Sequence, residues 1–197
     1  HQLDRALWEP EVPLAAGIVD AFQAADQRIF GVTKKVAQWE ASKTFAKDFM
    51  ARHQLPTAAS RTVHNAIDAH AEAATMGLPL VLKKDGLAAG KGVVIAQDAE
   101  TLDETIEKMY ADHPDATVLL EQYLAGEEAS VMALFNGEKR VVLPLSQDHK
   151  RRFANDRGPN TGGMGAVSPL PQFNDDQVTA AHQLVDATLQ GMQAEGL

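Results

Sequence analysis

Residues 83–94, KKDGLAAGKGVV from Lys83 to Val94, decide the fold; the stretch is entered from the apolar run LPLVL and continues into VVIA. Two apolar runs joined by a segment holding Gly86, Gly90 and Gly92 predict a strand, a mobile loop and a second strand, because glycine adopts backbone conformations that other residues avoid. Such a loop can fold over a phosphate. Its N–H groups, with Lys91 in the middle and Lys83 on the incoming strand, supply donors and positive charge where a polyphosphate is negative. An ordinary hairpin with solvated lysines is the plain alternative. A P-loop does not account for the pattern: only three residues separate Gly86 from Gly90-Lys91, and Gly92 follows where Ser or Thr is needed. The dinucleotide fingerprint fails as well, since Gly92 leads into Val93, Val94 and Ile95 rather than a third glycine and a helix.

The 197 residues suffice for one good core or two small ones, and 45% hydrophobic with 23% charged residues is an ordinary globular composition. A formal net charge of −9 argues against broad binding to nucleic acid or anionic membranes, so an anionic ligand must be held by local clusters of cations. The absence of cysteine excludes disulfides, thiolate metal sites and cysteine nucleophiles. No apolar run approaches membrane-spanning length and no signal peptide is evident, which leaves cytoplasmic residence as the default.

Outward from the loop, Leu14, Ile18 and Phe22 predict one helix from about Pro13 to Ala25, and RIFGVT a buried strand and turn. A second helical stretch runs to about His53, with Trp39, Phe45 and Phe49 as core contacts and Ser42 and Lys43 interrupting its apolar face; Lys43 on its own reads as a solvated helix residue. After Pro56 come a strand around Thr57 to Ser60 and a helix with Val63, Ile67, Ala71 and Ala74 on one face, stopped at Gly77. The paired strands about the glycine loop follow, then a helix with Leu102, Ile106, Met109 and Tyr110 in register, and the strand TVLLEQYL. This order suggests a small sheet backed by two helices, built like a lid.

Two polar clusters lie beyond. Glu121, Glu127 and Glu128 sit where one strand ends and the hairpin around Asn136-Gly137 begins; they are either a solvated strand terminus or acceptors for the amino group and ribose hydroxyls of adenosine. The segment from Ser146 to Pro171 reads as a long structureless loop, and loops of that length inside a compact domain tend to be functional. Its Lys150, Arg151, Arg152 and Arg157 form the densest cationic cluster of the chain, followed by Asn160-Thr161-Gly162-Gly163, a combination suited to a phosphorylated substrate, the alternative being a solubilising face and a plain turn. A final helix spans about Asp175 to Glu195. The histidines show no metal-binding spacing, and only His149, inside the cationic loop, is a site candidate.

KDGLAAGKGVV, LLEQYLAGEEAS and SQDHKRRFANDRGPNTGGMGA, in this order and separation, closely resemble the phosphoribosylamine-glycine ligases, or glycinamide ribonucleotide synthetases, ATP-grasp enzymes of purine synthesis. EPEVPLAAGIVDAF and WEASKTFAKDFMARHQLPTA are similar to the preceding segments of that family, so the match covers nearly the whole chain. The resemblance implies an α/β (α+β) fold, with a small mixed sheet and two helices as the ATP-grasp lid plus part of the larger core domain. The implied boundaries are a tail of an N-terminal substrate domain at 1–30, a connecting helix region at 31–56, the lid at 57–125 and the beginning of the core at 126–197.

The implied activity is ligation of glycine to 5-phosphoribosylamine through glycyl phosphate, with ATP and Mg²⁺ or Mn²⁺ as cofactors. By the same resemblance Lys43 and Lys83 contact the nucleotide phosphates and are the catalytic pair, while Asp85, Gly86, Gly90, Lys91 and Gly92 cover the triphosphate. Glu121 accepts from the adenine amino group, Tyr123 and Leu124 form the adenine hinge, and Glu128 takes the ribose. Asp148, Lys150, Asp156, Asn160, Thr161, Gly162 and Gly163 line the glycine and phosphoribosylamine side. Lys84 stands where the family has a small residue. The family's glycine-rich N-terminal region and its C-terminal acidic and asparagine metal ligands are not matched, so a central fragment is expected, inactive alone, without nucleic-acid or membrane partners. Another ATP-grasp carboxylate-amine ligase, or a module that binds ATP without chemistry, are the competing readings.

Overall fold

The computed structural model describes residues 6–7, 11–87, 92–137, 139–154 and 157–197, with backbone alone at Ala6, Leu7, Pro159 and Asn160. Strand β1 (Ala6–Leu7) is followed by helices α1 (Glu11–Ala16) and α2 (Ile18–Ala24) and then by β2 (Ile29–Phe30), which pairs with β1 in parallel. The single helix expected here is broken at Gly17, whose φ of 93° lies in the left-handed region and ends the first helical run. The expected burial of the following strand also fails, since Phe30 is 52% exposed. Helices α3 (Lys34–Ala41) and α4 (Lys43–Arg52) replace one long helix. Ser42 between them is extended, and its hydroxyl accepts from the Phe45 N–H, so the serine caps the second helix. Phe49 is fully buried, with the Trp39 ring centroid 4.0 Å from its own.

Next come β3 (Ser60–Val63), α5 (Ala66–Met76), β4 (Leu80–Lys84), β5 (Val93–Ala96), α6 (Ala99–Ala111) and β6 (Val118–Gln122). The strands form one sheet in the order β3-β6-β4-β5, and every neighbouring pair is antiparallel, where a mixed sheet was expected. The reason is interleaving. Helix α5 joins the parallel strands β3 and β4, helix α6 joins the parallel strands β5 and β6, and in each case a strand of the other unit lies between. Val63, Leu80, Leu82, Ala96, Val118 and Leu120 bury one face against Ala69, Ala73, Leu102, Ile106 and Tyr110 of the two helices. Strand alternation sends Lys83, Leu119 and Glu121 to the other face.

Helix α6 matches its expected register, with Asp98 accepting from the Thr101 N–H at 2.8 Å to cap it. Helix α5 does not. Val63 belongs to β3, which starts later than expected, and Asn65 caps the helix by accepting from the Asp68 N–H at 2.8 Å. Its buried face is Ala69 and Ala73, and Ile67 is 81% exposed. In an alanine-rich helix the residues of the inner face differ little in size and hydrophobicity from the alanines elsewhere on it, so spacing alone does not mark that face.

The hairpin β7 (Ala133–Phe135) and β8 (Arg140–Val142) forms as expected. The segment after it is not structureless. β9 (Gln147–Asp148), β10 (Arg151–Phe153), β11 (Arg157–Asn160) and β12 (Ala166–Val167) make two nested antiparallel pairs, β10 with β11 inside β9 with β12. These strands are short and mostly polar and carry no apolar alternation to betray them. Helix α7 (Asp175–Ala194) begins with a reciprocal capping box between Asn174 and Gln177. Near its end Gly191 lies against α4; a Cβ there would stand 2.8 Å from ring atoms of both Phe49 and His53. Among the described residues no helix is long and apolar enough to cross a membrane.

Ile106→Ala is expected to lower the unfolding free energy by about 2–5 kcal/mol through the cavity it leaves. Ile67→Ala, two positions into α5, is expected to change it by less than about 0.5 kcal/mol. Urea unfolding of both variants checks this, and comparable losses would refute the inward and outward placement of the two side chains.

Candidate functional site

The glycine-loop end of β4 meets the start of α4, and two carboxylates of the sheet make the join. Asp85, just past β4, accepts from the Lys43 N–H at 2.6 Å and the Thr44 N–H at 3.4 Å, and from the hydroxyls of Ser42 at 3.1 Å and Thr44 at 3.0 Å. A carboxylate at a helix N-terminus satisfies donors that have no partner within the helix and faces the positive end of its dipole. Burial raises the affinity of Asp85 for a proton, but the bonds from Lys43, Thr44 and Ser42 prevail and hold its carboxyl below the usual aspartate range. The Lys43 side chain then reaches the next residue, donating to the Gly86 carbonyl at 2.8 Å.

Glu121 is the second carboxylate, and it is buried, at 7% exposure. One of its oxygens pairs with Lys83 from the adjacent strand β4 and the other with Lys47 from α4. Lys47 also donates to the Thr57 hydroxyl at 2.6 Å and the Ala58 carbonyl at 2.9 Å. Burial pushes the Glu121 carboxyl up, while the hydrogen bonds and charges of Lys47 and Lys83 push it down and win, so it stays ionised below the ordinary glutamate range. Lys43, Lys83, Asp85, Gly86 and Glu121 are thus linked through helix α4 and the sheet face it covers. Lys47 was missed in the sequence, although it stands four residues after Lys43 and shares its helix face.

Gly90 and Lys91 lie outside the described residues; Gly92 closes the loop base by accepting from the Lys84 N–H at 2.9 Å. Tyr123, Leu124 and Glu128 follow Glu121 on an exposed connection to β7. The expected substrate residues form a separate group on the nested hairpins. Lys150 pairs with Asp148 at 3.2 Å, and Thr161 binds back to the Lys150 carbonyl through its N–H at 2.6 Å and its hydroxyl at 2.9 Å. The Thr161 oxygen accepts from the Gly163 N–H at 3.1 Å, with Gly162 exposed between them. His149 exchanges backbone bonds with Met164 and Gly165 across the same hairpin. Asp156 lies outside the described residues, and Asn160 is placed by its backbone in β11. Among the described residues no group of three or more His, Asp or Glu side chains is arranged to hold a metal ion.

Set beside known proteins, residues 41–197 match the family described as phosphoribosylglycinamide synthetase, ATP-grasp (A) domain. The chain is 48% identical over 193 residues to the phosphoribosylamine-glycine ligase of Ralstonia nicotianae, covering 95% of this chain and 46% of that protein. The crystal structure of the phosphoribosylamine-glycine ligase of Thermotoga maritima superposes with a TM-score of 0.78 at 36% identity, over 86% of this chain and 44% of that one. An ADP complex of N5-carboxyaminoimidazole ribonucleotide synthetase superposes with a TM-score of 0.75 over 96% of this chain and 47% of its own, at 17% identity, a likeness of fold alone. The chain therefore spans under half the length of these relatives.

Asp85→Ala is expected to destabilise the protein by about 1–2 kcal/mol through loss of the helix cap. Because the folded-state pKa of Asp85 is depressed, its contribution is present above the ordinary aspartate range and fades as pH falls through the lowered value. Thermal unfolding of wild type and variant from neutral to acid pH should show the two curves converging in acid, and a constant gap would count against the assignment.

Proposed function

The chain belongs to the phosphoribosylglycinamide synthetase ATP-grasp (A) domain family, and from that premise we propose that it supplies the nucleotide-binding part of a ligase joining glycine to 5-phosphoribosylamine. The products are glycinamide ribonucleotide, ADP and phosphate. What supports the reading is that the Lys43 ammonium binds the Gly86 carbonyl of the glycine loop while Lys83 stands on the strand that enters it, each ammonium with one described partner and donors left over for an anion. The proposed lid is residues 57–125, which enclose the four-stranded sheet and its two helices. Residues 1–30 are proposed as the tail of a substrate domain, 31–56 as a connector and 126–197 as the start of the core domain.

A carboxylate is a poor acyl donor until one oxygen becomes part of a leaving group. In the proposed reaction a glycine oxygen attacks the γ-phosphorus of ATP and the bond to the β-phosphate oxygen breaks, releasing ADP and leaving glycyl phosphate. The amine of phosphoribosylamine then attacks the carbonyl carbon, loses a proton, and the carbon–oxygen bond to phosphate breaks. Lys43 and Lys83 act by position and charge on the phosphates, where negative charge is redistributed as the phosphoryl group moves. No protein nucleophile is involved. Gly86, Gly90, Lys91 and Gly92 are proposed to cover the triphosphate, Tyr123 and Leu124 to flank the adenine and Glu128 to take the ribose. Glu121 is proposed at the adenine side, where its first task is to bind Lys83. Asp148, Lys150, Asp156, Asn160, Thr161, Gly162 and Gly163 are assigned to the glycine and phosphoribosylamine side.

Mg²⁺ or Mn²⁺ belongs to the proposal as counter-ion of the triphosphate, but the described residues offer no donor set for it and no step is assigned to it. Cytoplasmic residence, and an absence of nucleic-acid and membrane partners, complete the reading. It is tested with the full-length polypeptide: phosphate release from ATP should require glycine and phosphoribosylamine together, and Lys83→Met should lower kcat/KM on the order of 100-fold. Phosphate release with a different amine and carboxylate pair, or ATP binding without turnover, would replace it by another ligase or by a binding module.

A further inference from the structure

The lysines gathered at the sheet differ in how their protons are used. Lys47 has a partner for every N–H of its ammonium group: the Glu121 carboxylate, the Thr57 hydroxyl at 2.6 Å and the Ala58 carbonyl at 2.9 Å. Its side chain is 13% exposed, against 29% for Lys83, whose described partner is Glu121 alone. An ammonium with all its protons committed cannot turn to a ligand without breaking a bond already made. One with a single partner can. Glu121 is shared between the two, one oxygen each, so the position of Lys83 depends on a carboxylate that Lys47 holds from behind.

We propose that Lys47 is a positioning residue of the nucleotide site: it touches no ligand, and through Glu121 it fixes where the Lys83 ammonium stands. It also sets the charge offered there. Two ammonium groups and one carboxylate leave one positive charge there, beside that of Lys43; without Lys47, Glu121 and Lys83 neutralise each other and the charge offered to a triphosphate falls by one. Helix α4 makes this dependable, because Lys43 and Lys47 share one face of it and Asp85 fixes its first turn. The inference rests on the reading that Lys83 faces the phosphates of ATP.

The test is a double-mutant cycle in the full-length polypeptide, read as the Kd for ATP and the KM for glycine, with thermal unfolding to confirm that each variant is folded. Lys47→Met should weaken ATP on the order of tenfold and leave the KM for glycine within about twofold. Lys47→Arg, which keeps the charge beside Glu121, should recover most of the loss. In a Glu121→Gln background, Lys47→Met should change the ATP Kd by less than about threefold, since the residue acts through a carboxylate that is no longer there. Where Lys47→Met does not fold, Lys47→Gln takes its place in the cycle. A folded Lys47→Met or Lys47→Gln variant that binds ATP as wild type does, or effects that multiply in the double variant, overturn the inference alone. Wild-type protein without affinity for ATP overturns the nucleotide reading and this inference with it.

Discussion

Two carboxylates from one sheet hold the first turns of helix α4, and the position of each cation at the site follows from that grip. A ten-residue helix is marginal by itself, and its leading N–H groups have no partners within it. Asp85 supplies those partners from the end of β4, and Glu121 takes the side chain of Lys47 one turn further on. The same device recurs one helix earlier, where the Asp20 carboxylate accepts from the Lys34 N–H at 2.7 Å at the start of α3. Each helix is thus set by an acid distant in sequence, and α4 also by its own Ser42 cap.

The sheet can do this because its faces are specialised. One face is apolar and covered by α5 and α6, so burial there stabilises the sheet without any polar group taking part. The other carries Lys83 and Glu121, and a buried ion trio is a poor way to gain stability, because the desolvation of its charges offsets much of their attraction. Apolar residues of similar volume would stabilise the fold at least as well. The trio makes physical sense as a means of keeping a cation in place at an otherwise apolar sheet, which is what a ligase of the proposed kind requires.

Where local pattern and tertiary structure agree, the sequence alone was a good guide. The strand-loop-strand about Gly86 to Gly92 and helix α6 stand where their apolar spacing put them, because each buries one definite face. The misplaced elements do not show such a face in their sequence. Helix α5 is alanine-rich and could not declare that Ala69 and Ala73, rather than Ile67, point inward. The nested hairpins at Gln147 to Val167 are polar and held by backbone bonds, which composition does not report. At the site, Lys43, Lys83 and Glu121 were legible through motifs. Lys47 was not, since its role appears only once a strand and a helix far apart in sequence are brought together, and neither was the commitment of Asp85 to the helix rather than to the glycine loop.

Helix α4 is also gripped at its far end. The Glu195 carboxylate at the close of α7 accepts from Arg52 Nε at 2.9 Å and Nη2 at 3.1 Å, and meets His53 Nε2 at 2.8 Å. Arg52 in the last turn suits the negative end of the helix dipole, as Asp85 suits the positive end at the first. Between these ends Gly191 lets α7 approach Phe49 and His53 more closely than any side chain would allow. The helix that carries Lys43 and Lys47 is therefore fixed to the sheet through its N-terminus and to α7 through its C-terminus. A displacement of α7 would have to move Arg52 and His53 or break their bonds to Glu195, and a movement of α4 along its axis would break the Asp85 cap. The relation between Lys43, Lys47 and residues 174–197 is thus carried by one short helix, with an acid at each of its two ends.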